Sequence, residues 1–292
     1  MSEVTVAVTQ MACSENSDEN IDKAESLIQQ AAKQGAQIIL LQELFLTPYF
    51  CKGEKGEYFE LAQEVKNNPV LGRMSELARE LSVVLPISFY ERAGNAFFNS
   101  LMMIDADGTQ MGIYRKTHIP QAPGYQEKYY FSPGDTGFKV WPTQYGNVGV
   151  GICWDQWFPE CARAMVLMGA DILLYPTAIG TATYDNEYDY SPQWQHVMQG
   201  HAAANVIPIC ASNRVGLEKG ESCDINFFGR SFIADESGTK MAEAAREEET
   251  VLTVSFDFEK IRKRRDWFSL FRDRRPEMYD VLLTLDGRMS QK

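Results

Sequence analysis

The sequence predicts an α/β fold with mixed rather than purely parallel sheets, and three observations carry that expectation. Near-continuous apolar runs of strand length occur at QIILLQE (37–43) and NVGVGIC (147–153), the pattern of strands buried on both faces. Segments with helical periodicity alternate with such runs in the first half of the chain. Hairpin turns at DADG (105–108) and DESG (235–238) interrupt that alternation and call for antiparallel pairs.

VTVAVTQ alternates as a first strand, and in the helix after it Ile21, Ala24, Ile28 and Ala31 share one face, with Ser17 or Asp18 as cap and Gly35 as stop. The run 37–43 is a buried strand that brings Glu43 to a sheet edge. A second helix starts at Asn68-Pro69, where proline suits the first turn, and Leu71, Met74, Ala78 and Leu81 form its apolar stripe. VVLPISF, FFNSLMMI and TQMGIYRK read as successive strands, and Lys116 closes the hairpin. NVGVGIC is followed by a helix that Pro159 starts and Gly169 ends, so Cys153 sits on a strand-to-helix turn. DILLYP, a helix over 192–205, VIPICA, the DESG hairpin and VLTVSF complete the pattern. After Asp257 the chain turns basic and aromatic (KIRKRRDWFSLFRDRRPEMY), too irregular for a core element and suited to packing on a partner subunit.

With 292 residues, 45% hydrophobic, and no linker, repeat or low-complexity tract, a single domain is the simplest organisation. A net charge of −12 opposes binding to nucleic acid or an anionic membrane and suits a neutral or cationic small molecule. No stretch of eighteen apolar residues offers a membrane span. Six dispersed cysteines without a C-x-x-C pair argue against a disulfide framework or zinc site, and with no export signal at the N-terminus they imply the cytoplasm.

GICWDQWFPE (151–160) is the strongest local signal. A thiol at the end of a buried strand and before a helix is exposed by the turn, faces backbone N–H groups and gains positive potential that favours thiolate. Acyl transfer also needs a base and an oxyanion donor. The three histidines fit poorly: His118 lies on a turn, and His196 and His201 are not spaced as an i, i+4 metal pair, so each reads as structural. Strand-end acids and amines remain, Glu43 in LLQELF as a base and Lys116 in YRKTHIP as an ammonium able to meet an oxyanion. Each has a plainer reading, a buried cysteine, a loop glutamate or a surface lysine.

Taken in order, these segments resemble the catalytic signatures of the nitrilase superfamily of carbon–nitrogen hydrolases. LLQELFLTPY is similar to its first glutamate motif, YRKTHIP to its lysine motif, EKYYFSPGD to its second glutamate segment at Glu127, and GVGICWDQWFPE to its cysteine motif. NVIPICASNRVG and FFGRSFIADESG extend the likeness over essentially the whole chain. The resemblance implies a four-layer αββα sandwich, with residues 1–265 as one hydrolase domain and 266–292 as a C-terminal extension at a subunit interface. It implies a homo-oligomer, a dimer or larger, with no metal or organic cofactor. Cys153 would be the nucleophile and Glu43 its base, Lys116 and the Trp154 N–H would hold the oxyanion, and Glu127 would position Lys116 and the substrate nitrogen.

Within the superfamily the likeness is greatest to the branch acting on N-carbamoylputrescine, through segments such as PQAPGYQEKYYFSPGDTGFKV, VMQGHAAAN and RDRRPEMYDVLLTLDG. Members acting on carbamoyl amino acids carry two arginines after the nucleophile, where this chain has Gln156 and Trp157, so a substrate carboxylate would lack a guanidinium fork. The expected ligand is a cationic carbamoyl compound met by Tyr49, Tyr125, Trp154, Gln156 and Ala178, with Asp185, Glu187 and Asp189 of TYDNEYDY available to its distal amine. Other amidases or ureidopropionases of the superfamily, and a non-catalytic binding protein of the same fold, remain alternatives. Glu43→Gln and Lys116→Ala are expected to fold normally and lose several orders of magnitude in rate.

Overall fold

The structure is a computed structural model and describes residues 3–182, 188–221 and 223–288. The elements run β1 (Val4–Gln10), α1 (Ser17–Lys33), β2 (Ile38–Leu40), α2 (Pro69–Leu81), β3 (Leu85–Ala93), β4 (Ala96–Ile104), β5 (Gln110–Arg115) and the short α3 (Glu127–Tyr130). They continue with β6 (Val140–Thr143), β7 (Gly146–Val150), α4 (Pro159–Leu167), β8 (Ile172–Pro176), β9 (Gly180–Ala182), α5 (Ser191–Asn205), β10 (Ile209–Ser212), β11 (Val215–Glu218) and β12 (Ile225–Phe228). The last are β13 (Phe232–Ala234), β14 (Lys240–Glu243), β15 (Thr250–Phe256) and α6 (Phe258–Phe268).

Two sheets form the centre. In the first, β15-β1-β2 is joined to β3-β4-β5 where Ile39 N–H bonds Val84 at 3.0 Å and Val84 N–H bonds Gln37 at 2.8 Å. The second has the order β14-β13-β10-β8-β7-β6. Both are mixed: β1 pairs parallel with β2 and antiparallel with β15, while β7, β8 and β10 run parallel between antiparallel edges. β11, β12 and β9 make a small third sheet.

Alternation along the strands gives each central sheet two apolar faces. Val6, Val8, Ile38 and Leu101 of the first sheet meet Val148, Val150, Ile172 and Ile233 of the second in one buried cluster. The opposite face of the first sheet (Ala7, Ile39, Leu85, Ile87) is covered by Ile28 and Ala31 of α1 and Leu71 and Met74 of α2. That of the second (Leu173, Ile209) is covered by Met165 of α4 and Trp194 and Met198 of α5. The architecture is therefore the four-layer αββα sandwich expected from the sequence.

Three local expectations are corrected. The strand over 37–43 stops at Leu40, because the Gln42 side chain is drawn aside to pair with both backbone groups of Met11 and Leu44 turns into the left-handed region at φ 49°. The cap of α1 is Asn16, whose side chain accepts from the Asp18 and Glu19 N–H groups, rather than Ser17 or Asp18. The basic segment after Asp257 begins as a regular helix, capped by Asp257 and anchored by buried Phe258 and Ile261. Arg262 pairs with buried Asp171 at 3.0 Å. The rest of this helix and the chain beyond it are largely exposed.

Candidate active site

Glu43, Lys116, Cys153 and Ala178 follow the ends of β2, β5, β7 and β8, so the site straddles the seam between the sheets. Lys116 Nζ lies 2.8 Å from Glu43 Oε1 and 2.7 Å from Glu127 Oε2, and all three side chains are essentially shut off from solvent. Asn99 Nδ2 also donates to Glu43 Oε1, at 2.7 Å. Glu43 Oε2 is buried and has no hydrogen-bond partner among the described residues. One carboxylate oxygen is thus occupied twice and the other is free to accept a proton.

Burial works against the Lys116 ammonium, but the charges of Glu127 and then Glu43 outweigh it and hold its pKa well above the usual lysine range. Burial pushes the Glu127 carboxyl up to about 7; Lys116 opposes the rise and Glu43 adds to it. Tyr49 donates its hydroxyl to the other Glu127 oxygen at 2.6 Å.

Cys153 starts a tight turn (Cys153–Trp157) with φ 45°, a left-handed conformation uncommon for a side chain with a Cβ. Its sulfur lies 4.0 Å from the Ala178 carbonyl. Burial first, then the negative charge of Glu43, hold the thiol pKa well above its ordinary value, with Lys116 opposing. The resting group is a thiol that needs a base. This corrects the expectation of a turn that favours thiolate: full burial beside two carboxylates outweighs the potential of the following helix start.

A cavity of about 440 Å³ opens onto Cys153 and Glu127, walled by Tyr125, Trp154, Trp157, Ala178, Tyr190 and Gln193. Tyr125, Trp154 and Ala178, expected to meet the substrate, all line this cavity. Tyr49 and Gln156 do not line the cavity. Tyr49 is fully buried behind Tyr125, with ring centroids 5.7 Å apart, and bonds Glu127. Gln156 is fully buried and accepts from Thr177 Oγ1 at 3.0 Å. The turn that presents the sulfur points the side chain three residues later inward. Asp185 and Glu187 lie outside the described residues; Asp189 is ion-paired with Arg246. Among the described residues no group of three His, Cys, Asp or Glu side chains could hold a metal ion, and no helix is long and apolar enough to cross a membrane.

Several supporting residues escaped the sequence reading. Arg214, fully buried, donates to the carbonyls of Leu44 (2.8 Å), Thr47 (2.9 Å) and Glu43 (3.3 Å) and to Glu218 (2.6 Å), pinning the Glu43 loop from the link between β10 and β11. Asn213 bonds both backbone groups of Ile179, fixing the Ala178 wall. Gly134 packs so closely that a Cβ there would fall 2.1 Å from the Arg115 carbonyl, beside Lys116. His118 and His201 are structural, as expected: His118 Nδ1 lies 2.7 Å from Asp155, and His201 Nε2 lies 2.9 Å from the Gln156 carbonyl. The adjacent Asn213-Arg214 was a legible signal, since buried polar residues at a strand end need partners; which partners depends on chain far away in sequence.

The chain belongs to the carbon-nitrogen hydrolase family, whose model matches residues 5–266. It is similar to N-carbamoylputrescine amidase of Oryza sativa subsp. japonica, with 55% identity over 99% of this chain and 97% of that protein. It is also similar to a citrullinase of Francisella tularensis, 53% identical over 97% of this chain and 99% of that protein. Among solved structures, a carbon-nitrogen hydrolase from Helicobacter pylori superposes with a TM-score of 0.91 at 37% identity, covering 97% of this chain and 99% of that one.

Proposed function

We propose that this protein hydrolyses N-carbamoylputrescine to putrescine, ammonia and carbon dioxide through a covalent intermediate on Cys153. The observation that carries the reading is a buried acid and ammonium, Glu43 paired with Lys116 and keeping an unpartnered oxygen, whose charges act on the Cys153 thiol that faces the cavity. Glu43 takes the thiol proton while the sulfur attacks the carbamoyl carbon. Lys116 and the Trp154 N–H receive the developing oxyanion. The carbon–nitrogen bond breaks, the proton passes to the leaving nitrogen, and ammonia departs. A water deprotonated by Glu43 then attacks the thioester, sulfur leaves and regains its proton, and the released carbamate decays to putrescine and carbon dioxide. Glu127 positions Lys116 and the substrate nitrogen.

The described cavity wall is apolar and aromatic, suited to a four-carbon chain, and carries no lysine or arginine at its mouth. Citrulline, the reading suggested by the Francisella relative, presents the same carbamoyl end but adds a carboxylate that needs a cation. Mass spectrometry of protein quenched during turnover should find an aminobutylcarbamoyl adduct on Cys153, and ammonia release should favour N-carbamoylputrescine over citrulline by about a hundredfold, the scale of one buried unpaired charge. Equal rates would refute the preference and faster release from citrulline would move the assignment there; no adduct would remove the covalent step.

The finer parts of this reading are a cytoplasmic location, supported by six free cysteines, one hydrolase domain over 1–265, and homo-oligomerisation. Support for oligomerisation comes from the C-terminal segment, where Trp267 and Leu283 are more than 80% exposed. A second copy of the chain is the partner that would cover it.

A further inference from the structure

The two halves of the site come from different sheets, Lys116 from the first and Cys153 from the second, and something must fix their separation. We propose that Asp155 is a positioning residue that ties the Lys116 turn to the Cys153 turn across the seam, setting the distance between the oxyanion-binding ammonium and the attacking sulfur; this rests on the roles proposed above for Lys116 and Cys153.

Asp155 is fully buried, and both its oxygens are used. Oδ2 accepts from the Ile152 N–H at 2.9 Å and from the Tyr114 hydroxyl at 2.7 Å. Oδ1 accepts from the His118 N–H at 3.0 Å and lies 2.7 Å from His118 Nδ1. Tyr114 and His118 flank Lys116 on either side, while Ile152 and Asp155 flank Cys153. Among the described residues, every hydrogen bond between 114–118 and 152–157 runs through this carboxylate. Its partners cannot drift: the His118 ring stacks on Phe158 with centroids 3.6 Å apart and planes 6° apart, and Tyr114 is fully buried.

The geometry also explains why a carboxylate is needed. Four contacts converge on two oxygens, and only an acceptor-only group satisfies donors at both ends. An amide would turn an N–H₂ toward a donor at one end or the other. The left-handed Cys153 backbone is intrinsically disfavoured, so the turn needs an external restraint to keep the sulfur in place.

The test compares Asp155→Asn and Tyr114→Phe with the parent and with Cys153→Ala, following ammonia release from N-carbamoylputrescine, thermal unfolding, and alkylation of Cys153 by iodoacetamide, which needs the thiol but no oxyanion donor. A displacement of about 1 Å at a reacting centre costs on the order of a hundredfold. Asp155→Asn should therefore lose roughly that factor in kcat with KM within about threefold, and Tyr114→Phe roughly tenfold, while alkylation slows by less than kcat does. Should Asp155→Asn not fold, Tyr114→Phe decides alone. Folded variants with parental kcat, or losses that only track the unfolded fraction, overturn the proposal. Turnover surviving in Cys153→Ala would instead remove the underlying mechanism.

Discussion

Replacing Lys116 by methionine keeps most of the unbranched side chain and removes one buried ammonium from between two carboxylates 2.8 and 2.7 Å away. At an effective dielectric of about 20, a unit pair at that range attracts by about 6 kcal/mol before desolvation. Breaking a buried pair by removing one partner costs a net of about 3–5 kcal/mol. That is a large share of the roughly 5–15 kcal/mol of a typical fold, and corresponds to a loss of roughly 10 °C in Tm. The expectation of normal folding for a Lys116 variant, natural for a residue read as a strand-end lysine, is thus replaced by one of clear destabilisation. The loss should depend on pH with a definite sign. Lys116 pulls the Glu127 pKa down, so its removal raises that pKa further. A carboxyl whose folded pKa is raised contributes stability that is present at low pH and lost as pH rises through the folded value. Urea titrations at pH 5 and pH 8 should show a smaller deficit at pH 5, and kcat should fall by at least about a thousandfold at either pH. A variant as stable as the parent at pH 8, or one within tenfold of its kcat, would refute both the buried triad and the role of the ammonium.

Glu127, at about 7, gives the parent a similar window: the stability held by its neutral form is complete below 4.5 and gone above about 7. Its ionised form is the one that accepts from Lys116 and Tyr49, so kcat/KM should rise through about pH 7, and Tyr49→Phe, which deletes a donor to the carboxylate, should move that limb to higher pH by about one unit. A limb unmoved in Tyr49→Phe assigns it to another group. Arg214→Met should cost about 3–5 kcal/mol by leaving Glu218 in a mostly buried site with, among the described residues, only Lys52 as its cation. Adding Glu218→Met should restore part of that stability but not kcat, because the Glu43 and Leu44 carbonyls stay unpinned; full recovery of both would show that Arg214 serves only the ion pair.

Much of this site was legible because its parts are local. The thiol turn follows from an apolar run ending at Cys153 with Pro159 soon after, and the helix at 69–81 from Asn68-Pro69 and its apolar stripe. Such signals reside in neighbouring residues and survive without tertiary context. Gln156 shows the limit: its place after the nucleophile suggested contact with substrate, whereas the turn's handedness sends it inward to Thr177. Tyr49 likewise supports Glu127 from behind instead of lining the cavity. No periodicity distinguishes those two fates. The helical start of the C-terminal segment went undetected for a related reason, since the helix Phe258–Phe268 buries only Phe258 and Ile261 and leaves little apolar pattern to detect.

By itself the sequence determined the order of the main strands and helices, the mixed sheets, and which acid, amine and thiol stand at strand ends, because each depends on burial and backbone preference within a few residues. Only the tertiary structure decided that Lys116 is shared between Glu43 and Glu127, that the Cys153 thiol rests protonated, and that Asp155 and Arg214 bridge the sheets. Those outcomes depend on distances between charges far apart in the chain and on the water excluded around them, quantities that exist only once the layers have packed.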